Sequence, residues 1–380
     1  MSNAITNVLG KLLADGVLAL RQNSVGPRLV NRSYENLAAQ KMGNVINVPI
    51  PSAIAARAVT PSVVMNSNVA SAPTVALITL DHWQEGPFEV SDSDVAAMSP
   101  TFFPMQASEA IKSLCNDADQ YLWGKHTGLF SAAGTAGTTP FNTSLTVGGT
   151  ARKLLNKQLA PMDDRFGVLD PDAETNFLLN TNILNADQAG DQNGIINGQL
   201  FKKLGIQWYM DQNIQTYTPG TGWVTGWAAS TVGAAIGDTT INILNATASG
   251  SIKVGDLFTV AGSTQQYVVT TAATASATVQ VAISFYPALV TAAATGAALT
   301  VIATAYVANI VANKYCFAWA SRPLGGSLAD GHVFQAPYDD LSGIALRLEI
   351  SRQYKLETLS YDYLAGAGVV RRELGTKILG

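Results

Sequence analysis

From Leu257 to Asn313 the chain carries no Asp, Glu, Lys, Arg or His. A charge-free run of that length suits either a membrane span or a series of short strands, and composition separates the two. Thr, Ser, Gln, Gly and Ala fill the run in place of Leu, Ile and Phe, Pro287 interrupts it, and TVQVAISF alternates with the period of a strand. Strands are therefore expected here, and no membrane association. The wider stretch 212–313 holds only Asp238, Lys253 and Asp256 as charged residues. Within it TTINILNA, IKVGDLFTVAG, QQYVVTTA, ATVQVAISF and ALTVIATA are short β-branched runs parted by Gly, Ser and Thr. That spacing predicts a small β-barrel or sandwich, spliced in as a separate domain over residues 225–305. Ile241/Ile243, Leu257/Val260, Tyr267/Val269 and Val279/Val281/Ile283 are expected to face its interior. On either side, NIQTYTP and YVANIVANKYCFAW resume the body in register.

The composition also constrains the surface. Charged residues make up 13% of the 380, about half the usual ~25%, while 47% are apolar. A monomer so poor in charge is sticky, and the simplest cover for it is other copies of the same chain. With 23 Lys+Arg against 27 Asp+Glu the net charge is −4, which excludes the basic balance of a dedicated nucleic-acid binder. The length leads to an expectation of two or three domains. Cys115 and Cys316 stand far apart and form no CxxC, so a reduced compartment is expected, with neither a disulfide framework nor a zinc site. The opening MSNAITNVLGKLLADG lacks the basic stretch and the cleavage site of a signal peptide.

Residues 5–20 place Ile5, Val8, Leu9, Leu12, Leu13, Val17 and Leu20 at helical spacing. A helix facing its own core and an arm docked on a neighbouring subunit both need this stripe, and spacing alone favours the former. VINVPIP and TVALITL are β-type runs parted by SAIAARAVTPSVVMNSNVASAP, which has almost no large side chains and predicts a long projecting hairpin. DHWQEGPFEVSDSDVAAMSP reads as acidic and turn-rich. QASEAIKSLCNDADQYLWGKH is the strongest helix, with Ile111, Leu114, Cys115, Ala118, Tyr121 and Leu122 on one face. ARKLLNKQLAP predicts another helix, and FGVLDPDAETNFLL a strand, a turn and a helix capped by Asp172. Ile344, Leu346, Leu348 and Ile350 alternate with polar or small residues, as do Leu359, Tyr361 and Tyr363, which predicts a hairpin. A last short strand lies near VVRRELGTKIL.

Chemistry finds no foothold. Gx₄GK[ST], GxGxxG and GxSxG are absent, and His82, His126 and His332 stand at no ligand spacing. A calcium loop starting at Asp170 fails, because Thr175 stands where Gly is needed and Thr181 where Glu is needed. Asp163, Asp164, Asp170, Asp172 and Glu174 read as a solvated turn and helix start. The basic pairs Arg152/Lys153, Lys202/Lys203 and Arg371/Arg372 lack the aromatic interleaving of a single-strand binder. No catalytic, cofactor-binding or metal residue is expected, and no enzyme.

The order of elements is arm, extended hairpin, long helix, mixed body, β-rich insert, resumed body and terminal hairpin. ITNVLGKLLADGVLALRQNSVGPRLVNRSY stands as the arm, and DDRFGVLDPDAETNFLL with NGIINGQLFKKLGIQWYMDQNI as the body before the insert. IKVGDLFTVAG carries a Gly-Asp turn, and FAWASRPL and LRLEISRQYKLETLSYDYLAGAGVVRRELGTKIL close the chain. In this order and these segments the chain resembles the major capsid (coat) proteins of short-tailed double-stranded-DNA phages of the P-22 type.

The resemblance implies an α+β fold of the HK-97 type with an inserted β-barrel. It assigns 1–43 to an N-terminal arm and 44–98 to an extended loop (E-loop). It assigns 99–150 and 341–380 to a peripheral domain with spine helix, 151–224 and 306–340 to an axial domain, and 225–305 to the insert. It further implies self-assembly into hexamers and pentamers of an icosahedral head in the host cytoplasm. Scaffolding protein, portal and a cement or decoration protein would be partners, and packaged DNA would be touched only non-specifically. Leu9, Leu12, Leu13, Val63 and Val64 are the expected inter-subunit contacts. A tail or decoration protein with an immunoglobulin-like module is the alternative.

Overall fold

A computed structural model describes residues 24–34, 44–52, 71–97, 102–184, 200–223, 226–230, 233–245, 249–324 and 342–380, with residues 13, 16–18 and a few isolated positions besides. Leu9, Leu12, Val63 and Val64 lie outside the described residues. The described parts form two units. One draws on 31–114 and 317–370 with residues 13 and 16–18, the other on 24–30, 115–316 and 371–380.

The first unit is organised by one long strand, Leu356–Val369. It turns back on Arg347–Gln353 through Tyr354 and Lys355, giving the terminal hairpin its pattern implies. Phe317–Arg322 pairs with its second half, and Val333–Gln335 extends the sheet beyond Arg347–Gln353. The segment expected to be turn-rich is instead the strand His82–Ser91, paired without a break from Ala365↔His82 to Leu356↔Ser91, followed by the helix Asp92–Ala97. Gly86 and Pro87 misled the reading because both are tolerated at an edge. Pro87 withholds no donor that the ladder needs there. At Gly86 the helix behind approaches so closely that a Cβ would lie 3.1 Å from the Ala110 carbonyl oxygen.

That helix is Phe102–Gly124, and its Ile111, Leu114, Cys115, Ala118 and Leu122 are buried as their spacing requires. The alternation of the terminal hairpin is less clean than expected. Leu346, Leu348, Leu359, Tyr361 and Tyr363 are buried, but Arg347 and Asp362 on the opposite face are buried too, because they neutralise each other there.

The second unit is built on a sheet ordered Ala132–Gly134, Gly375–Leu379, Tyr306–Asn313, Arg165–Leu169, Ile206–Met210 and Lys202–Lys203. Its chain-terminal strand lies inside the sheet, antiparallel to Tyr306–Asn313 and parallel to Ala132–Gly134. Phe141, Phe177 and Trp208 form a buried aromatic cluster with ring centroids 5.3–5.6 Å apart. The helix Pro171–Leu179 is capped by Asp170 rather than Asp172, its carboxylate accepting from the Asp172 amide at 3.2 Å. Pro171 takes the first helical position, where no N–H is needed, and so moves the cap two residues upstream.

Thr216–Tyr217 pairs with Tyr306–Val307, so the chain leaves the sheet and re-enters it at neighbouring residues. Between them lies the charge-poor stretch, folded as strands in the order Leu299–Val301, Leu257–Val260, Gln266–Val269, Val281–Tyr286, Thr240–Leu244 and Ala228–Ala229. The last strand returns to the first, with the Ala229 amide donating to the Ala297 carbonyl and the Leu299 amide to the Trp227 carbonyl, each at 2.8 Å. Trp223, Trp227, Ile241, Ile243, Phe258, Val260, Tyr267, Val269, Ile283 and Phe285 fill the interior. Two expected interior residues are elsewhere. Leu257 faces the body strands, because its neighbour Phe258 takes the inward position, and Val279 is exposed.

Candidate assembly surfaces

VINVPIP and TVALITL carry apolar residues on both faces of the ladder they form, and the two faces have different fates. Val45–Ile50 pairs antiparallel with Thr74–Thr79. On the inner face, Ile46, Val48, Ile78 and Leu80 pack on Ala318, Ala320 and Leu364. The floor beneath is nearly free of side chains, since Ala318 pairs with Gly368 and Ala320 with Gly366. A Cβ on Gly366 would overlap the Thr79 carbonyl oxygen, so the hairpin root seats only because that position is glycine. On the outer face, Val45, Val75 and Leu77 stand 49%, 55% and 63% exposed. Burying a side chain of this kind is worth ~1.5–3 kcal/mol, so the root leaves substantial apolar free energy unused in the isolated chain.

Of the residues expected at contacts, Leu13 alone is described, and it is helical and half-buried. Three residues on, a Cβ on Gly16 would lie 2.7 Å from Ile111, with Tyr361 and Leu346 beside it, so Gly16 packs on the core of its own chain. The sequence expectations did not include the outer face of the root, although Val45, Val75 and Leu77, alternating with the buried Ile46 and Ile78, were its signal.

Two further exposed apolar points stand at chain reversals. Leu159 follows the helix Thr146–Lys157 with φ 58°, a backbone region that favours glycine, and is 89% exposed. Tyr354, at the tip of the terminal hairpin, is 88% exposed. Below that tip Arg352 grips both oxygens of Asp92 at 2.9 and 3.0 Å and also pairs with Glu357.

Where the insert meets the body, the contact has an apolar and a polar half. Leu257 and Val268 of the insert pack on Phe130, Ala132, Tyr306, Ala308 and Leu379. Asp256, fully buried, accepts from Trp223 Nε1 at 2.6 Å, the Lys253 amide at 2.7 Å, the Tyr217 hydroxyl at 2.8 Å and the Gly220 amide at 3.2 Å. Lys377, also fully buried, donates to the Gly255 carbonyl at 3.3 Å and meets the Tyr306 hydroxyl at 3.4 Å. Burial pushes the Lys377 ammonium down to about 7, against the opposing pull of Asp256. His126 donates through Nδ1 to the Trp123 carbonyl at 2.9 Å, while its buried Nε2 has no hydrogen-bond partner among the described residues. Burial, and then the charge of Lys377, push its pKa down to about 3.

Among the described residues no group of His, Cys, Asp and Glu could hold a metal ion, and no helix is long and apolar enough to cross a membrane. Cys115 and Cys316 are buried and form no disulfide, and burial pushes the Cys115 thiol up to about 12.

No family model matches the chain, and no curated protein matches it. Solved phage structures do share its fold. One, from Mycobacterium phage Che8, is 14% identical, with a TM-score of 0.53 over 93% of this chain and 90% of that one. Another, the capsid structure of the cyanophage P-SCSP1u, is 13% identical, with a TM-score of 0.53 over 94% of this chain and 88% of that one.

Proposed function

We propose that this chain is the major capsid protein of a tailed double-stranded-DNA phage, a structural and non-catalytic subunit that assembles into hexamers and pentamers of an icosahedral head. The observation that carries this is the fold shared with the P-SCSP1u capsid chain over nearly the full length of both. The outer face of the hairpin root supports it, since Val45, Val75 and Leu77 are apolar and exposed while the inner face packs on Ala318, Ala320 and Leu364.

On this proposal the fold is of the HK-97 type, with the arm over residues 1–43, the E-loop rooted in 44–98 and a β-barrel inserted over 225–305. The peripheral domain takes 99–150 and 341–380 and the axial domain 151–224 and 306–340. Leu9, Leu12, Leu13, Val63 and Val64 contact neighbouring subunits. The chief partner is the chain itself, joined during assembly by scaffolding protein and portal and afterwards by a cement protein. Net acidity suits a lining that does not adsorb the packaged genome tightly.

Sizing and negative-stain microscopy of the purified protein test the proposal. Capsomers, shells or tubes are the expected products. Extended fibres would turn the assignment to a tail protein, and a monomer at all concentrations would overturn self-assembly.

A further inference from the structure

The insert and the body each keep a core of their own, and what joins them is small. Among the described residues only Leu257 and Val268 are fully buried insert side chains in the apolar half of the joint, with Tyr286 and Ile302 partly so. The polar half centres on the turn Lys253–Asp256. Gly255 presses on the body so closely that a Cβ there would lie 2.8 Å from Thr127. Its carbonyl is a receptor for Lys377, and Asp256 receives Tyr217.

The groups facing Lys377 come from each element packed around it. The turn brings Asp256, with Lys253 directed outward to the Thr218 carbonyl at 3.1 Å. Thr216–Tyr217 brings Tyr217, Tyr306–Asn313 brings Tyr306, and the short helix Lys125–Gly128 brings His126. Ala132–Gly134 brings no titratable side chain. Lys125 of the short helix sits 4.1 Å over the Tyr121 ring. The site thus holds one carboxylate against two groups that become cations on taking up a proton, and one of them, His126, has no acceptor waiting for a proton at Nε2 among the described residues.

We propose that the turn Lys253–Asp256, seated on Lys377, is a proton-operated joint: proton uptake at Lys377 and then at His126 releases the insert from the body while each keeps its own core. Released, both side chains return to water and to their ordinary affinities for protons. The open form therefore binds more protons than the closed one in two windows. The first runs from the ordinary lysine value of 10.5 down to about 7, the second from 6.5 down to about 3. Within each window opening is favoured about tenfold per pH unit of acidification, and between them it is flat. The joint belongs to the subunit itself, so it holds whether or not the chain builds a shell.

The Ala132 amide reports the joint directly, because it donates to Gln266 Oε1 across it at 2.6 Å. Quenched-flow hydrogen exchange of the full chain, corrected for intrinsic rates, is followed from about pH 10 to pH 5, with the amides of Ile243 and Ile283 in the insert core as reference. Protection at Ala132 is expected to fall about tenfold per unit from pH 10 to 7 while the reference amides hold. Lys377→Met should flatten this upper window and leave the lower one, and His126→Phe the reverse. A wild-type profile flat from pH 10 to 7 overturns the proposal without any variant. Loss of protection at Ala132 and Ile243 together overturns it as well, because that is unfolding and not release.

Discussion

The indole Nε1 of Trp83 donates to Asp362 Oδ2 at 2.9 Å, across 279 residues of chain. Asp362 is also held by Arg347, whose Nε donates to Oδ1 at 2.8 Å and whose second nitrogen grips Oδ2. One carboxylate therefore fixes the edge strand His82–Ser91 and the hairpin strand Arg347–Gln353 to the strand between them. Asp362→Ala leaves a largely buried guanidinium and an indole without their acceptor and should cost about 3 kcal/mol in denaturant unfolding. Replacing both ionic partners, with Asp362→Leu and Arg347→Met, should recover most of that loss.

Gly366→Ala should unseat the hairpin root. Its Cβ would meet backbone, the Thr79 carbonyl, which cannot swing aside as a side chain does. The expected cost is about 1–3 kcal/mol, read as a lower midpoint and a lower assembly yield. Gly368→Ala is the matched control, since its Cβ would first meet Ile78 at 3.7 Å, ordinary contact.

Leu77→Lys addresses the outer face of the same root. Leu77 is 63% exposed in the subunit, so unfolding should shift by no more than about 0.5 kcal/mol. Capsomer or shell yield by sizing should fall sharply. Normal assembly of the variant would show that this face is not an interface.

Asp119 gives the second unit a pH dependence of definite sign. Its carboxylate accepts from the Gly26 amide at 2.7 Å and the Val25 amide at 3.2 Å. Burial first, and the neighbouring Asp211 second, hold it well above the ordinary carboxylate range, and the two amides pull the other way. The folded form keeps a proton that the unfolded form has lost. Its contribution is therefore present at acid pH and is lost as pH rises from the ordinary carboxylate range through the raised value. Melting curves of the wild type should show this decline relative to Asp119→Asn, in which the slope is absent.

The insert should fold alone, provided that its fragment starts early enough. A fragment spanning 219–305 contains Trp223, whose ring stacks toward Phe258 at 6.4 Å and whose Nε1 reaches Asp256. It should melt cooperatively by circular dichroism. A fragment starting at 225 lacks that tryptophan and should be less stable by about 3 kcal/mol.

Period and composition made most of the architecture legible. Ile111 to Leu122 announced the long helix, and the interior of the insert followed from pairs such as Ile241/Ile243 and Tyr267/Val269. What failed did so for local reasons. Gly86 and Pro87 punctuate most sequences but not an edge strand, and Pro171 moved a cap from Asp172 to Asp170. Asp256, Lys377 and His126 gave no signal, because they come from three distant segments and only tertiary folding brings them together. The outer face of the hairpin root lay in plain view at Val45, Val75 and Leu77, but alternation cannot say which of two apolar faces is already covered.

The hydrogen bonds from Ala229 to Ala297 and from Leu299 to Trp227 join the first and last strands of the insert. Open sheets guard their unpaired rims with lysines, prolines and other gatekeepers, because a bare rim templates aggregation. A ring of six strands has no such rim. The insert can therefore dispense with those guards, and it runs from Leu257 to Ala305 without a single charge.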